Sequence, residues 1–153
     1  EMIGVPFSDT DNIIEKEVGK KIDQIFDDYG ERYFRKVEEK VVGKALDNSA
    51  HIISTGGGSI LSPKTRSMIK LKSYSIWIQC DVHLIARRIL NQEKRPLLKN
   101  KNIVDTLIKK NEERIKFYSQ ADIHITNEDP NLQIAVDAVI KNLLLNKVMK
   151  NND

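Results

Sequence analysis

Four short apolar runs, rich in β-branched residues or aromatics, alternate along this chain with longer stretches whose apolar residues recur at helical spacing. The runs are Val5 to Ser8 ending at Asp9, His51 to Thr55, Ser73 to Cys80, and Asp122 to Thr126. Phe34, Val37, Val41, Val42 and Ala45 fall on one helical stripe, and Leu132, Ala135, Val136, Val139, Ile140 and Leu143 on another. Strands separated by helices need crossover connections, so they pair in parallel and place ligands at their carboxyl ends. The order therefore predicts an α/β layer around a mainly parallel sheet. Gly19 and Gly30 stand where two short helices would each need a left-handed C-terminal residue, which divides residues 12–30 into a helix pair.

The first three predicted strands each lead into a motif: Asp9, Thr10, Asp11 after the first, Gly56 to Gly58 after the second, and Asp81 after the third. Two carboxylates two residues apart just before a helix suit a cap by Asp11 and a metal-bound water on Asp9, with a plain helix cap as the alternative. Three adjacent glycines let backbone N–H groups crowd a polar ligand, because no Cβ blocks the approach and positive φ is open to each. A tight strand-to-helix turn is the simpler use. Arg35 lies three residues before Glu38, close enough on a helix for a pair that holds the guanidinium rigid, or for a surface ion pair worth ~0–1 kcal/mol. Arg95 precedes Pro96 and so rides on a loop, within a polar and basic segment, residues 93–104, that suits a mobile lid. Arg114 and Tyr118 share a helix face, although a solvated charge would look the same.

The charge balance excludes other classes. Lys and Arg exceed Asp and Glu by three, and the signs alternate along the 153 residues, so no basic nucleic-acid arm is present and small anionic substrates fit better. Cys80 is the single cysteine, which rules out an internal disulfide framework and a CxxC site and points to a reducing, cytoplasmic setting. No apolar run approaches the roughly 18 residues of a membrane span, and the N-terminus lacks a secretion signal. His51, His83 and His124 show no metal-ligand spacing, Trp77 reads as core, and Lys147 to Asp153 are expected to fray.

In order, these residues resemble the shikimate kinases, P-loop enzymes of the nucleoside-monophosphate-kinase fold group. The resemblance runs from about Gly4 to the final helix. It rests on Val5, Pro6 and Phe7 leading to Asp9, Thr10, Asp11; on Phe34 and Arg35 with Glu38; on Ser54 to Gly58; on Arg95 to Leu98; and on Arg114 with Tyr118. It implies a three-layer parallel sheet with helices on both faces, in one kinase domain spanning residues 1–153. It also implies ATP-dependent phosphorylation of the 3-hydroxyl of shikimate, with Mg2+, on the route to aromatic amino acids. A monomer without nucleic-acid or membrane partners is expected. By the same resemblance Arg35 and Arg114 would clamp the shikimate carboxylate, and the backbone at Gly57 and Gly58 would contact the ring. Asp11 would orient or deprotonate the attacking hydroxyl, and Asp9 would hold a magnesium-bound water. Arg95 would swing onto the phosphates, and Arg88 would stack on adenine with Pro130 opposite.

The family's phosphate loop, GxxxxGK followed by Ser or Thr, does not occur in these residues. Gly19 and Lys20 have Ile14 where the first glycine belongs, and Gly43 and Lys44 have Glu38 there. The loop, with its strand and helix, on the order of 25 residues, is expected upstream of Gly4, so that the central first strand lies outside this chain. The 153 residues alone are expected to turn over ATP weakly or not at all. Two alternatives are a non-catalytic shikimate-binding relative and a kinase with another polyol acceptor. Arg35, Arg114 and Asp11 favour a carboxylated polyol.

Overall fold

The computed structural model describes residues 4–48, 51–90 and 103–146. The chain divides into two compact units, Glu1–Ser73 and Tyr74–Asp153.

The first unit runs β1 (Phe7–Asp9), α1 (Thr10–Val18), α2 (Ile22–Leu46), β2 (Ile52–Ser54), a 3-10 turn (Ser59–Leu61) and α3 (Pro63–Lys72). β1 and β2 are parallel, with Phe7, Ser8 and Asp9 opposite Ile52, Ile53 and Ser54, so both strands deliver their following motifs at the same end. α1 stops at Gly19, whose φ of 72° is the left-handed cap expected there.

Gly30 behaves differently from the expectation. Its φ of 76° is positive but its ψ is 169°, so it does not cap a helix; it reverses the chain inside α2, and a second helical stretch starts at once. Phe26 and Phe34 show how sharp the bend is. Residues eight apart in a straight helix are separated by about 12 Å, yet these two rings lie 4.6 Å apart. The fold-back gathers Ile14, Ile25, Phe34 and Val41 into one buried cluster, flanked by Ile13, Val18, Ile22, Phe26 and Val37. Val42 and Ala45 complete the predicted stripe as buried residues. Glu15 ties the two helices together, accepting from Ile22 N at 3.0 Å and Lys21 Nζ at 2.6 Å.

The second unit runs β3 (Ile76–Gln79), α4 (Val82–Leu90), α5 (Ile103–Tyr118), β4 (Ile123–Thr126) and α6 (Leu132–Leu145). β3 and β4 are again parallel, with Ile76 opposite Ile123 and Gln79 opposite Thr126. Asp81, the motif residue after β3, caps α4 by accepting from the backbone N–H of His83 and Leu84, each at 3.0 Å. Trp77 packs between Tyr118 and His124, at 5.7 and 5.3 Å.

Ile123, Ile125 and Leu143 are the buried centre here, with Ile76, Ala138 and Val139 against them. The stripe predicted for α6 is therefore used only in its second half, and Leu132 and Val136 are exposed. Length explains this: a 14-residue helix is about 21 Å long, whereas a four-residue strand covers about 13 Å. The described strands form these two parallel pairs, with no ladder between the pairs among the described residues. Among the same residues no helix is long and apolar enough to cross a membrane.

Gly30 occupies a backbone region that is essentially restricted to glycine. Gly30→Ala is expected to destabilise the protein by about 1–3 kcal/mol, read as a shift in the urea midpoint; an unchanged midpoint would mean that the bend is not required.

Candidate active site

Spacing alone allows a helix cap by Asp11 with Asp9 free to hold a metal-bound water, or a plain helix cap. The structure reverses part of this. Asp9 is the N-cap of α1: its Oδ1 accepts from Asp11 N at 2.9 Å and Asn12 N at 3.2 Å. β1 ends at Asp9, so that residue is the one with extended backbone from which a side chain can reach the first-turn N–H groups. Asp9 Oδ2 takes no part in this cap. Asp11, in the first turn of the helix, is released from capping, and its Oδ1 is buried without a hydrogen-bond partner. Burial raises the pKa of Asp11, and the like charges of Asp9 and Glu15 add to the effect while Arg35 opposes it. A buried acceptor with no donor is costly unless a ligand supplies one.

Arg35 projects from the second stretch of α2. Its Nη1 donates to Glu38 Oε2 at 2.7 Å, and Glu38 is 2% exposed, so this is not the surface pair that spacing alone allowed. Glu31, one turn earlier, accepts from Nε at 3.2 Å and Nη2 at 3.1 Å through Oε1. Burial of the guanidinium works against its charge, but Glu38 and Glu31 outweigh it and leave the Arg35 pKa raised.

The glycine turn meets these groups directly. A Cβ on Gly58 would lie 2.5 Å from both Nη1 and Nη2 of Arg35, and one on Gly56 would lie 3.1 Å from Glu38 Oε1 and 3.2 Å from Asp11 Oδ1. The positive-φ glycines of the described chain are Gly4, Gly19 and Gly30, so the triple-glycine turn is not there for left-handed backbone. At Gly56 and Gly58 charged side chains fill the space where methyl groups would stand. Asp11, Arg35 and Glu38 thus converge with Gly56 and Gly58 on one locus. Glu38 is the partner that spacing offered Arg35, whereas Glu31 was not among the expected residues, although its spacing of four from Arg35 marked it.

In the second unit Arg114 lies on α5 with its Nε buried and unpartnered among the described residues. Arg88, near the end of α4, is held by the loop after β4: it donates to Asn127 O and Asp129 O, each at 3.3 Å, and lies 3.6 Å from Cys80 Sγ. Those carbonyls flank the segment that carries Pro130, so the two residues expected at adenine share one neighbourhood. Arg95 and most of the expected lid, residues 91–102, lie outside the described residues. No cluster of three or more His, Cys, Asp or Glu able to hold a metal occurs among the described residues. That does not conflict with Mg2+, which keeps most of its water and phosphate ligands and asks a protein for one or two carboxylates. Asp9 Oδ2 fits a contact of that kind, through water. An open hollow along α6, lined by Asp137, Ile140, Lys141, Leu144 and Leu145, is apolar and holds none of these groups.

Comparison with known proteins agrees with the geometry. The family model described as shikimate kinase matches residues 1–144. The shikimate kinase of Caulobacter vibrioides is 37% identical over 139 residues, 91% of this chain and 70% of that protein. The one from Zymomonas mobilis is 34% identical over 139 residues, 90% of this chain and 78% of its own. Among solved structures, shikimate kinase from Acinetobacter baumannii in complex with shikimate superposes with a TM-score of 0.87 at 27% identity, covering 97% of this chain and 83% of that one. Shikimate kinase from Aquifex aeolicus gives 0.80 at 32% identity, with 95% and 85% covered. The fold is therefore the α/β P-loop kinase type, with parallel strands and helices on both sides. With the paired Arg35 and Glu38, the buried Asp11 Oδ1 and the glycine turn in place, the chain belongs to the shikimate kinase family.

Proposed function

We propose that this protein transfers the terminal phosphoryl group of ATP to the 3-hydroxyl of shikimate, with Arg35 and Asp11 as the principal substrate contacts. The observation that carries the reading is the convergence of Arg35 and the orphaned Asp11 Oδ1 on the backbone of Gly56 and Gly58. A guanidinium held by a buried carboxylate is a rigid anion receptor, and a carboxylate without donors is ready to accept hydroxyl hydrogens. Together they match a ligand with an acid at one end and hydroxyls at the other.

In this reading Arg35 takes the substrate carboxylate and Arg114 supplies a second contact, for which its buried, unpaired Nε is the support. Backbone at Gly57 and Gly58 lies against the ring. Asp11 accepts the hydrogen of the attacking hydroxyl; as that oxygen bonds to phosphorus and the bond to the departing ADP breaks, the proton passes to Asp11. Its raised pKa favours such a role, since a base works best near the operating pH. Arg88 and Pro130 border the adenine, and Arg95 neutralises phosphate charge. Asp9 Oδ2 would hold a water of Mg2+, which would supply positive charge to the phosphates. The setting is the cytoplasm, the domain is single and the enzyme acts as a monomer.

The direct test is phosphorus NMR on the complete natural protein with ATP and shikimate. A shikimate phosphate resonance is expected; binding of shikimate with no ATP-dependent product would overturn the kinase assignment. Arg35→Ala should raise the shikimate KM by roughly 10- to 100-fold, the worth of a charged hydrogen-bond pair, with a smaller change in kcat. Gly58→Ala keeps an ordinary backbone, φ −88°, but drives a methyl into the guanidinium, so kcat/KM should fall on the order of 100-fold while the fold survives.

Asp11→Asn should lower kcat by about 10²–10⁴ and stabilise the protein at neutral pH. Asp11 has a folded pKa above its unfolded value, so its contribution to stability is fully present below about pH 4 and is lost as pH rises through the folded value. The denaturation midpoint of the variant should therefore exceed that of the native protein by a margin that opens as pH rises, and equal margins at acid and neutral pH would contradict the raised pKa.

A further inference from the structure

Two carboxylates in unlike surroundings hold Arg35. Glu38 is buried and takes Nη1 at 2.7 Å, whereas the Glu31 side chain is 65% exposed and sets a single oxygen against Nε and Nη2. A guanidinium has only two edges from which paired N–H bonds point at a planar carboxylate: the Nε and Nη2 edge, and the Nη1 and Nη2 end. The end abuts Gly58, where a methyl carbon would come within 2.5 Å of both nitrogens. The other edge is the one Glu31 occupies.

The bend at Gly30 creates this arrangement. Helix resumes directly after it, so Glu31 stands in the first turn of the second stretch, one turn before Arg35, and Glu38 follows one turn beyond. All three lie on one helical face. Glu38 cannot leave, because its charge would be stranded in the interior. Glu31 can swing into water at little cost, since an exposed pair is weak.

We propose that Glu31 is an internal stand-in for the substrate carboxylate, occupying the Nε and Nη2 edge of Arg35 until an incoming acid displaces it. This rests on the reading above that Arg35 receives the carboxylate of the substrate. The stand-in has two effects. It keeps the guanidinium aimed before substrate arrives, and it makes ligand charge a condition of entry, because a neutral polyol has nothing with which to replace a carboxylate. Glu31 is therefore a specificity-determining residue that weakens binding while sharpening selection for acids.

Titration calorimetry of shikimate against the complete natural protein, without nucleotide, tests this. Glu31→Gln should tighten binding by about two- to five-fold, the range spanned by an exposed ion pair, and Glu31→Ala should do the same. The carboxamide analogue of shikimate, which is neutral, should show no such gain. Unchanged or weaker shikimate binding in both variants, with native circular dichroism, overturns the proposal, as does an equal gain for the carboxamide. Arg35→Ala separates the two levels. If it leaves shikimate affinity unchanged, the carboxylate assignment itself fails; if it weakens binding while the Glu31 variants do not tighten it, only the stand-in role fails.

Discussion

The contact between Arg35 and the buried Glu38 is the constraint around which the candidate site is arranged. Neither charge could be placed there alone. A carboxylate with 2% exposure needs a cation at hydrogen-bond distance, and a guanidinium so close to a glycine backbone needs something to hold it off solvent. Once the pair forms, the surrounding residues have little freedom. Gly58 must lack a Cβ because Arg35 fills its space, and Gly56 must lack one because Glu38 and Asp11 fill theirs. The glycine turn is thus a consequence of the charges beside it rather than an independent phosphate-binding device.

The same economy appears in the helices. α2 carries the pair, and the bend at Gly30 lets one helical segment serve two purposes. Its first stretch packs Ile25 and Phe26 into the cluster with α1, and its second turns Phe34 and Val41 inward while presenting Arg35 toward the glycine turn. Asp9 contributes differently: by capping α1 it sets the helix start, and that start fixes Asp11 two residues on, in the first turn, where its Oδ1 is buried without a donor. A site assembled this way keeps an unsatisfied acid and a raised pKa in the folded protein, at a cost in stability.

Several site features were legible in the chain and others were not, for reasons particular to each. Strand-then-motif order located Asp9, Asp11 and Gly56 to Gly58, because parallel strands send their functional loops to one end. The three-residue spacing of Arg35 and Glu38 announced a pair, since such residues face each other on any helix. Which aspartate caps α1 was not legible, as the answer depends on the residue at which β1 stops. Nor was the use of the glycines: spacing alone allowed close approach of a ligand to the backbone or a tight turn, whereas a steric conflict with side chains from α1 and α2 is what excludes larger residues at Gly56 and Gly58. The predicted stripe of α6 outran the strand beneath it.

By itself, the order of apolar runs and helical stripes determined an α/β chain with parallel pairing, and its motif residues in sequence determined the family, because both are properties of local periodicity and of residue identity. Only the tertiary structure decided that Glu38 is buried, that Asp11 lacks a donor, that Arg88 is held by the carbonyls of Asn127 and Asp129, and that Gly58 stands against a guanidinium. Those facts depend on which surfaces meet across elements far apart in the chain. Burial and steric exclusion are set by what lies on the other side of a contact, and no single segment encodes that.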